Sequence, residues 1–388
     1  MEIEIDIKKV IFGGDGLAWH EGKTCLVAGA LAGERIRAKV IDPEKKILRA
    51  NIVEVLESSP MRQQEPCSYV SHCGGCQYQH VDYASELLLK QQQIVEAFEF
   101  GFKDFKTCIG GIKACSSEHR YRNQVALHMQ HSGKPQSKRI GFLAKDNVTP
   151  VIVDDCLLVN EELKRVFSDK HILKKGHTHI QFRLDENNLI VSSEKEMFLR
   201  IRVADNLLWA ASTGFFQNNL EMTANIVQCL GDWLKNDTND SLMDLYCGSG
   251  IFSILAGSKE KEILYFESNP SNLECLRLNL RAANIQNYKI LSGPVEKRLP
   301  TYLKRHTEKL FSVFIDPPKQ GMATQTRDAL IQNKTVTRLF YLSCNLSTLI
   351  RDLKELVNQG DFCIDNIQPF DMFPRTKHIE IAVTLSRK

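Results

Sequence analysis

From about residue 206 the chain repeats one unit: an apolar run, a turn built on Gly, Pro or an acid, then a helix start. "LMDLYCGSGIFSILAG" passes from a strand through Gly248 and Gly250 into a helix. "EILYFESNPSNLECLRLNLRAAN" passes from a strand ending at Glu267 into another helix. "LFSVFIDPPKQG" and "LFYLSCNLSTLIRDL" stop at Asp316 and Cys344, and "HIEIAVTL" adds a last strand. Strands that alternate with helices pair in parallel, because each needs a crossover to return in the same direction. The expectation is a doubly wound α/β sheet, whose ligands bind beyond the carboxyl ends of the strands. The residues at those ends are the candidates for chemistry.

With 388 residues, the chain is too long for a single typical domain. Residues 1–57 read as short alternating strands broken by Gly-rich turns and Asp-Pro, which suits an OB-type β-barrel. "ESSPMRQQEP" reads as a linker. Residues 58–205 mix one helix, "YASELLLKQQQIVEAFEF", with strands such as "QVALHMQ", "RIGFLA" and "HIQFRLDENNLIVSS", an α+β pattern. Residues 206–388 form the Rossmann-like part, so the whole reads as a multi-domain α/β protein. A net charge of +3 excludes a crude polycation but not a local basic groove. No apolar run is long enough to span a bilayer, and the charged, alternating "MEIEIDIKKV" is not a signal peptide. A cytoplasmic monomer without membrane contact is expected.

Twelve cysteines without a secretion signal suggest a reducing compartment, where they serve as ligands, nucleophiles or buried apolar groups. "CSYVSHCGGC" sets Cys67, Cys73 and Cys76 among glycines, and Cys156 follows in "VDDCLL". Glycines let a backbone fold tightly around a metal centre. Thiolate-only ligation means zinc or an iron–sulfur cluster, and spacing alone does not choose. His72 competes with Cys156 for the fourth place. A fourth ligand closes the site, which points to a structural or RNA-shaping role rather than cleavage of a cofactor.

Gly248 and Gly250 follow a strand that carries Asp244, and glycines there let a ligand approach the backbone. Glu267 ends the next strand, where a carboxylate can accept both ribose hydroxyls. NAD and S-adenosylmethionine both satisfy this pattern. Asp316 opens a rigid Asp-Pro-Pro turn, since proline fixes its own φ and restricts its predecessor. Dehydrogenases do not need that turn. Methyltransferases acting on nucleobases commonly have a related one, which favours S-adenosylmethionine.

Alternation in the last strand sends His378 and Glu380 to one face. A glutamate in an otherwise apolar strand can become a useful base when burial raises its pKa. One reaction needs both a thiol and a base here: methylation of carbon 5 of a pyrimidine. A thiolate adds to carbon 6, carbon 5 attacks the methyl, and a base removes the carbon-5 proton so that the thiolate can leave. Cys344 would be the nucleophile and Glu380 the base. For a lone cysteine, a buried strand-end thiol is the better reading; three further groups on strand ends favour catalysis.

The chain resembles the RNA uracil-5 methyltransferase family over essentially its full length. The residues that carry this are Cys67, Cys73, Cys76 and Cys156, "HRYRNQ", "FFQNN", "DLYCGSG", "DPPKQG", "SCNLSTLIRD" and "FPRTKHIE". Residues 1–57 also resemble a TRAM domain, an RNA-binding barrel. The resemblance implies a 4Fe–4S cluster on the four cysteines. It implies an S-adenosylmethionine pocket lined by Gln217, Tyr246, Ile251, Glu267 and Asp316. It supports Cys344 and Glu380 in their roles and an RNA partner, with 23S ribosomal RNA ahead of transfer RNA. Arg120, Tyr121 and Arg122 are offered for phosphate contact and stacking. Three positions depart from the family pattern: Lys319 stands where Arg is usual, Leu346 where Pro is usual, and Pro294 where an Asp or Asn often meets the cofactor. The competing readings are the same chemistry on cytosine and a non-catalytic RNA-binding iron–sulfur protein.

Overall fold

A strict apolar–polar alternation opens the chain, and β1 (Glu2–Asp6) buries Ile3 and Ile5 while Glu2, Glu4 and Asp6 face water. The computed structural model describes residues 1–102, 108–129, 140–168, 178–257 and 261–388. After β1 come β2 (Lys9–Val10), β3 (Asp15–His20), β4 (Lys23–Ala28), β5 (Arg35–Val40) and β6 (Ile47–Glu57), in the spatial order β1-β5-β6-β4-β3-β2. β1 and β2 are adjoining pieces of one run. The first pairs with β5 and the second with β3, so the sheet closes on itself and hides its edges. Ile3, Ile5, Val27, Ile36 and Leu48 fill the interior. Some of the basic residues on the outer face are held in ion pairs: Arg35 and Arg37 with Glu4, and Arg37 also with Glu54.

Helix α1 (Tyr83–Gly101) starts at Asp82, whose carboxylate accepts the Ser85 N–H. A five-stranded sheet follows, ordered β11-β10-β7-β8-β9. Its strands are β7 (Gln124–Met129), β8 (Ile140–Leu143), β9 (Pro150–Val151), β10 (His179–Leu184) and β11 (Ile190–Ser192). Gln130 and Arg139, at the ends of two strands expected from the sequence, lie outside the described residues. A hairpin of β12 (Phe198–Val203) and β13 (Asn206–Ala211) leads to the last sheet.

That sheet is built from α2 (Leu220–Leu234), β14 (Ser241–Leu245), α3 (Ile251–Ala256), β15 (Glu262–Glu267), α4 (Pro270–Ala282), β16 (Tyr288–Ser292) and α5 (Val295–Arg305). It continues with β17 (Phe311–Ile315), α6 (Thr324–Gln332), β18 (Val336–Ser343), α7 (Leu346–Gly360), β19 (Phe362–Phe370) and β20 (Glu380–Arg387). The order is β16-β15-β14-β17-β18-β20-β19, and β20 alone runs against its neighbours among these strands. β14 and β17 are buried at every residue, as strands covered by helices on both faces must be. The strand order reverses between β14 and β17, which opens a crevice at their carboxyl ends.

Helix α1 belongs to this core as well: Ile94 and Phe98 pack with Val313, Leu339, Leu353 and Ile367. Its buried face also carries Glu86 and Lys90. Lys90 Nζ lies 2.7 Å from Glu86 and 2.7 Å from Asp371, and all three side chains are fully buried. No helix among the described residues is long and apolar enough to cross a membrane.

Candidate active site and cysteine cavity

The cofactor turn begins where β14 ends. Tyr246, Gly248 and Gly250 have φ values of +62, +57 and +81°. A Cβ on Gly250 would lie 2.6 Å from Leu276, so only glycine fits. A Cβ on Gly248 would meet nothing within 4 Å, which leaves open space against the backbone there. Ile251 starts α3 and is buried beside the turn. Asp244 is buried under it. Ser253 donates to one of its oxygens, while the other has no partner among the described residues. Burial, reinforced by Asp316 and Glu267, pushes its pKa up to about 8.

Glu267 is fixed by three backbone donors: Gly248 N at 2.9 Å, and Ser268 N and Asn269 N at 2.6 Å each. A carboxylate offers about four acceptor directions, so it can still take a ligand hydroxyl. Gln217 is buried in the segment between β13 and α2. That segment is braced by residues the sequence reading passed over. Arg183, buried, donates to Ala211 O at 2.7 Å and Gly214 O at 2.8 Å, and Gln124 donates to Phe216 O at 3.3 Å. Gly214 lies against Asn272 of α4, so the segment passes the same strand ends as Glu267.

Asp316 follows β17, and its N–H reaches Leu245 O at 3.4 Å. β18 pairs with β20 through Leu342–Ala382 and Ser343–Ile381, and the next step on that register sets Cys344 opposite Glu380. The observed β20 begins at Glu380, two residues later than the sequence suggests, and is buried on both faces up to Leu385. Glu380 is buried, and its Oε2 has no hydrogen-bond partner among the described residues. Burial, then the charge of Asp316, holds its pKa well above the usual carboxylate range, against a smaller pull from Lys319. Burial raises Asp316 to about 7. Cys344 is only partly exposed. Burial, Glu380 and Asp316 together push its thiol up to about 12, with Lys319 opposing. Lys319 thus supplies positive charge to this group of acids.

The turn after Cys344 is rigid without the proline. Asn345 caps α7 by accepting the Ser347 N–H at 3.1 Å, and its amide donates to Lys319 O at 2.9 Å. Leu346 is buried in the core with Leu349 and Leu353. Asp352, an acid on the buried face of α7, accepts from Met322 N at 2.9 Å and Tyr341 OH at 2.7 Å. These bonds tie the Asp-Pro-Pro loop to the helix that follows Cys344. Pro294 precedes α5 and offers no side-chain cap.

The cysteine loop forms a second site. Cys67, Cys73, Cys76 and Cys156 line one cavity together with Arg122 and Phe142. Gly75 N donates to Cys73 Sγ at 3.4 Å, and Gln79 Nε2 to Cys76 Sγ at 3.5 Å. Arg122 Nε is buried with no partner among the described residues. His72 is exposed, and its Nδ1 lies 2.7 Å from Ser71 Oγ, away from the cavity lining. No three His, Cys, Asp or Glu side chains among the described residues stand close enough to share a single ion. Arg120 forms paired 2.9 Å bonds with Asp155, and Tyr121 OH donates to Pro374 O at 3.0 Å. Both of these expected RNA contacts are engaged within the protein.

The sequence profile of the tRNA (uracil-5-)-methyltransferase family matches residues 190–388, just over half of the chain. The chain belongs to this family. Its members are RNA uracil C5-methyltransferases, and the matched span of this methyltransferase holds every strand-end residue described above. Relatives extend the likeness over the remainder. An uncharacterized RNA methyltransferase of Aquifex aeolicus is 28% identical, with 100% of this chain and 99% of that protein covered. The 23S rRNA (uracil(1939)-C(5))-methyltransferase RlmD of Mannheimia succiniciproducens is 27% identical, with 100% and 96% covered. The crystal structure of Pyrococcus abyssi tRNA (uracil-54, C5)-methyltransferase in complex with S-adenosyl-L-homocysteine shares the fold. It has a TM-score of 0.71 at 21% identity and covers 99% of this methyltransferase.

Proposed function

We propose that this methyltransferase converts one uridine of 23S ribosomal RNA to 5-methyluridine. The observation that supports the mechanism is that Cys344 and Glu380 come next after the Ser343–Ile381 pair, with Asp316 electrostatically linked to both. S-adenosylmethionine supplies an electrophilic methyl group in a pocket formed by Gln217, Tyr246, Ile251, Glu267 and Asp316. The target base has to leave its stack to reach the strand ends. Cys344 adds to carbon 6 and makes carbon 5 nucleophilic. Carbon 5 takes the methyl, which leaves the cofactor's sulfur as an uncharged thioether; Glu380 then removes the carbon-5 proton, the double bond reforms, and the thiolate is expelled. Asp316 steadies the uracil edge or the thiol.

The four cysteines suit a 4Fe–4S cluster. Their thiols line one cavity, and each iron of such a cluster takes one thiolate. N–H donors to two of the sulfurs, and Arg122, whose Nε has no partner among the described residues, suit an anionic centre. Cys67, Cys73, Cys76 and Cys156 would hold it. The closed ligand set suits a structural or RNA-shaping role rather than cleavage of a cofactor. Residues 1–57 would serve as a TRAM-type RNA-binding barrel, residues 58–205 as the cluster domain and residues 206–388 as the methyltransferase domain.

The likeness to a 23S rRNA enzyme over nearly the whole chain favours the ribosomal target. The family description and the P. abyssi neighbour favour a transfer RNA uridine as the second reading. The test uses S-adenosylmethionine and RNA carrying 5-fluorouridine. Fluorine at carbon 5 blocks the final elimination, so wild type stays attached to RNA on a denaturing gel. An equal adduct with Cys344→Ala would overturn the mechanism. Unmodified 23S and transfer RNAs, offered separately, decide the target by which gains 5-methyluridine.

A further inference from the structure

One side chain bridges the cysteine loop and the loop that precedes Glu380. Gln77 Nε2 donates to Gly74 O, between Cys73 and Cys76, at 3.0 Å. Gln77 Oε1 accepts from Lys377 N, three residues before Glu380, at 2.9 Å. The backbone repeats the tie: Gln77 N and Tyr78 N both donate to Arg375 O, at 3.0 and 3.2 Å. Arg375 is fixed in its turn. Its φ is +67°, its side chain is buried, and its guanidinium donates to Tyr78 O and Val81 O. The barrel closes on the same point, since a Cβ on Gly14 would lie 3.1 Å from Gln77 Cβ. Gln77 therefore sits between three parts of the chain with little room to move.

We propose that Gln77 is a positioning residue for the base: it holds the 375–377 segment so that Glu380 stays opposite Cys344, and it takes its own place from the cysteine loop. This rests on Glu380 being the base. After methyl transfer, carbon 5 bears both methyl and hydrogen, and carbon 6 bears the Cys344 sulfur. Glu380 takes the hydrogen as a proton. The released pair forms the carbon 5–carbon 6 double bond, and the carbon 6–sulfur bond breaks to give back the thiolate. Displacing the base stops only this last step. Addition by Cys344, on a separate strand held by Asn345 and Asp352, continues. A loosened Gln77 thus turns an enzyme that releases its product into one that traps it.

The test compares Gln77→Ala and Gln77→Glu with wild type in the full-length protein. Glutamate keeps an oxygen for Lys377 N but has no donor for Gly74 O. Each protein is incubated with S-adenosylmethionine and either 5-fluorouridine RNA or ordinary RNA, and the covalent adduct is measured on a denaturing gel. The 5-fluorouridine adduct reports folding, binding and addition, and it stays within about twofold of wild type in both variants, because a tenfold change would need about 1.4 kcal/mol at that step. On ordinary RNA the Gln77→Ala adduct rises while turnover falls about a hundredfold, the scale of a misplacement of roughly 1 Å. Gln77→Glu falls between Gln77→Ala and wild type. Normal turnover without trapping overturns the proposal, and so does a parallel loss of both adducts in the two variants. If wild type itself fails to form the 5-fluorouridine adduct, the assignment of nucleophile and base falls first.

Discussion

Cys344 and Glu380 are the residues that come next on either side of Ser343–Ile381, the last pair of the β18–β20 ladder. Side chains directly opposite each other on antiparallel strands share a face at about 4.5–5.5 Å between Cβ atoms. A flat pyrimidine lying over both would meet the thiol and the carboxylate from the side of the sheet where the parallel strands end.

Glu380→Gln keeps the shape of the base and removes its ability to take a proton. Turnover should fall by about 10²–10⁴, the usual contribution of a positioned base. Ordinary RNA should then accumulate as a covalent adduct through Cys344, seen on a denaturing gel. A variant that loses turnover without accumulating adduct would move Glu380 to an earlier step.

Cys344 should respond to charge in the cofactor pocket. Burial and two neighbouring acids keep its thiol protonated in the free protein, with a pKa pushed up to about 12. A nearby cation favours the thiolate, so the pKa falls when one binds. Alkylation of Cys344 should therefore be slow at pH 8, speed up as pH rises towards 10, and be faster with S-adenosylmethionine than with its uncharged-sulfur product. Mass spectrometry of the Cys344 peptide reads this directly. Equal rates with the two ligands would remove the electrostatic argument.

At the cysteine cavity, Cys156→Ala should lower iron per chain and visible absorbance in anaerobic preparations. His72→Ala should leave both unchanged, because His72 points away from the cavity lining. The reverse result would make His72 the fourth ligand.

Asp371→Asn leaves Lys90 buried with one fewer charged partner. Removing one member of a buried ion pair typically costs about 3–5 kcal/mol. The urea midpoint should drop accordingly. A shift of less than about 1 kcal/mol, the range of exposed pairs, would mean that water reaches Lys90.

Local pattern made the strand ends readable. Glu267, Asp316 and Cys344 each close an apolar run, and a parallel strand carries its ligand-facing residues there. The final strand was harder, because its start at Glu380 depends on a turn held from elsewhere. The distant contacts of Gln77, Arg375 and Lys90 were not readable, since those partners lie some 280 to 300 residues away. A partial signal existed in α1 and α7, where Glu86, Lys90 and Asp352 interrupt otherwise buried stripes. A charge at such a position predicts a distant counter-charge without saying where it is. Arg120 and Tyr121 show what charge and aromaticity leave out: both suggested RNA, and both also have partners within the protein, Asp155 and Pro374.

The Lys90–Asp371 bond spans 281 positions of sequence. During synthesis, α1 leaves the ribosome long before Asp371 is made, for roughly 15 to 60 seconds at elongation rates of about 5–20 residues per second. Over that interval Ile94 and Phe98 have no core to enter and Lys90 lacks one of its two carboxylates. The nascent chain therefore cannot mature strictly from front to back. Its first helix waits for its last strands, and a truncated product would expose a surface that quality-control machinery can recognise as unfinished.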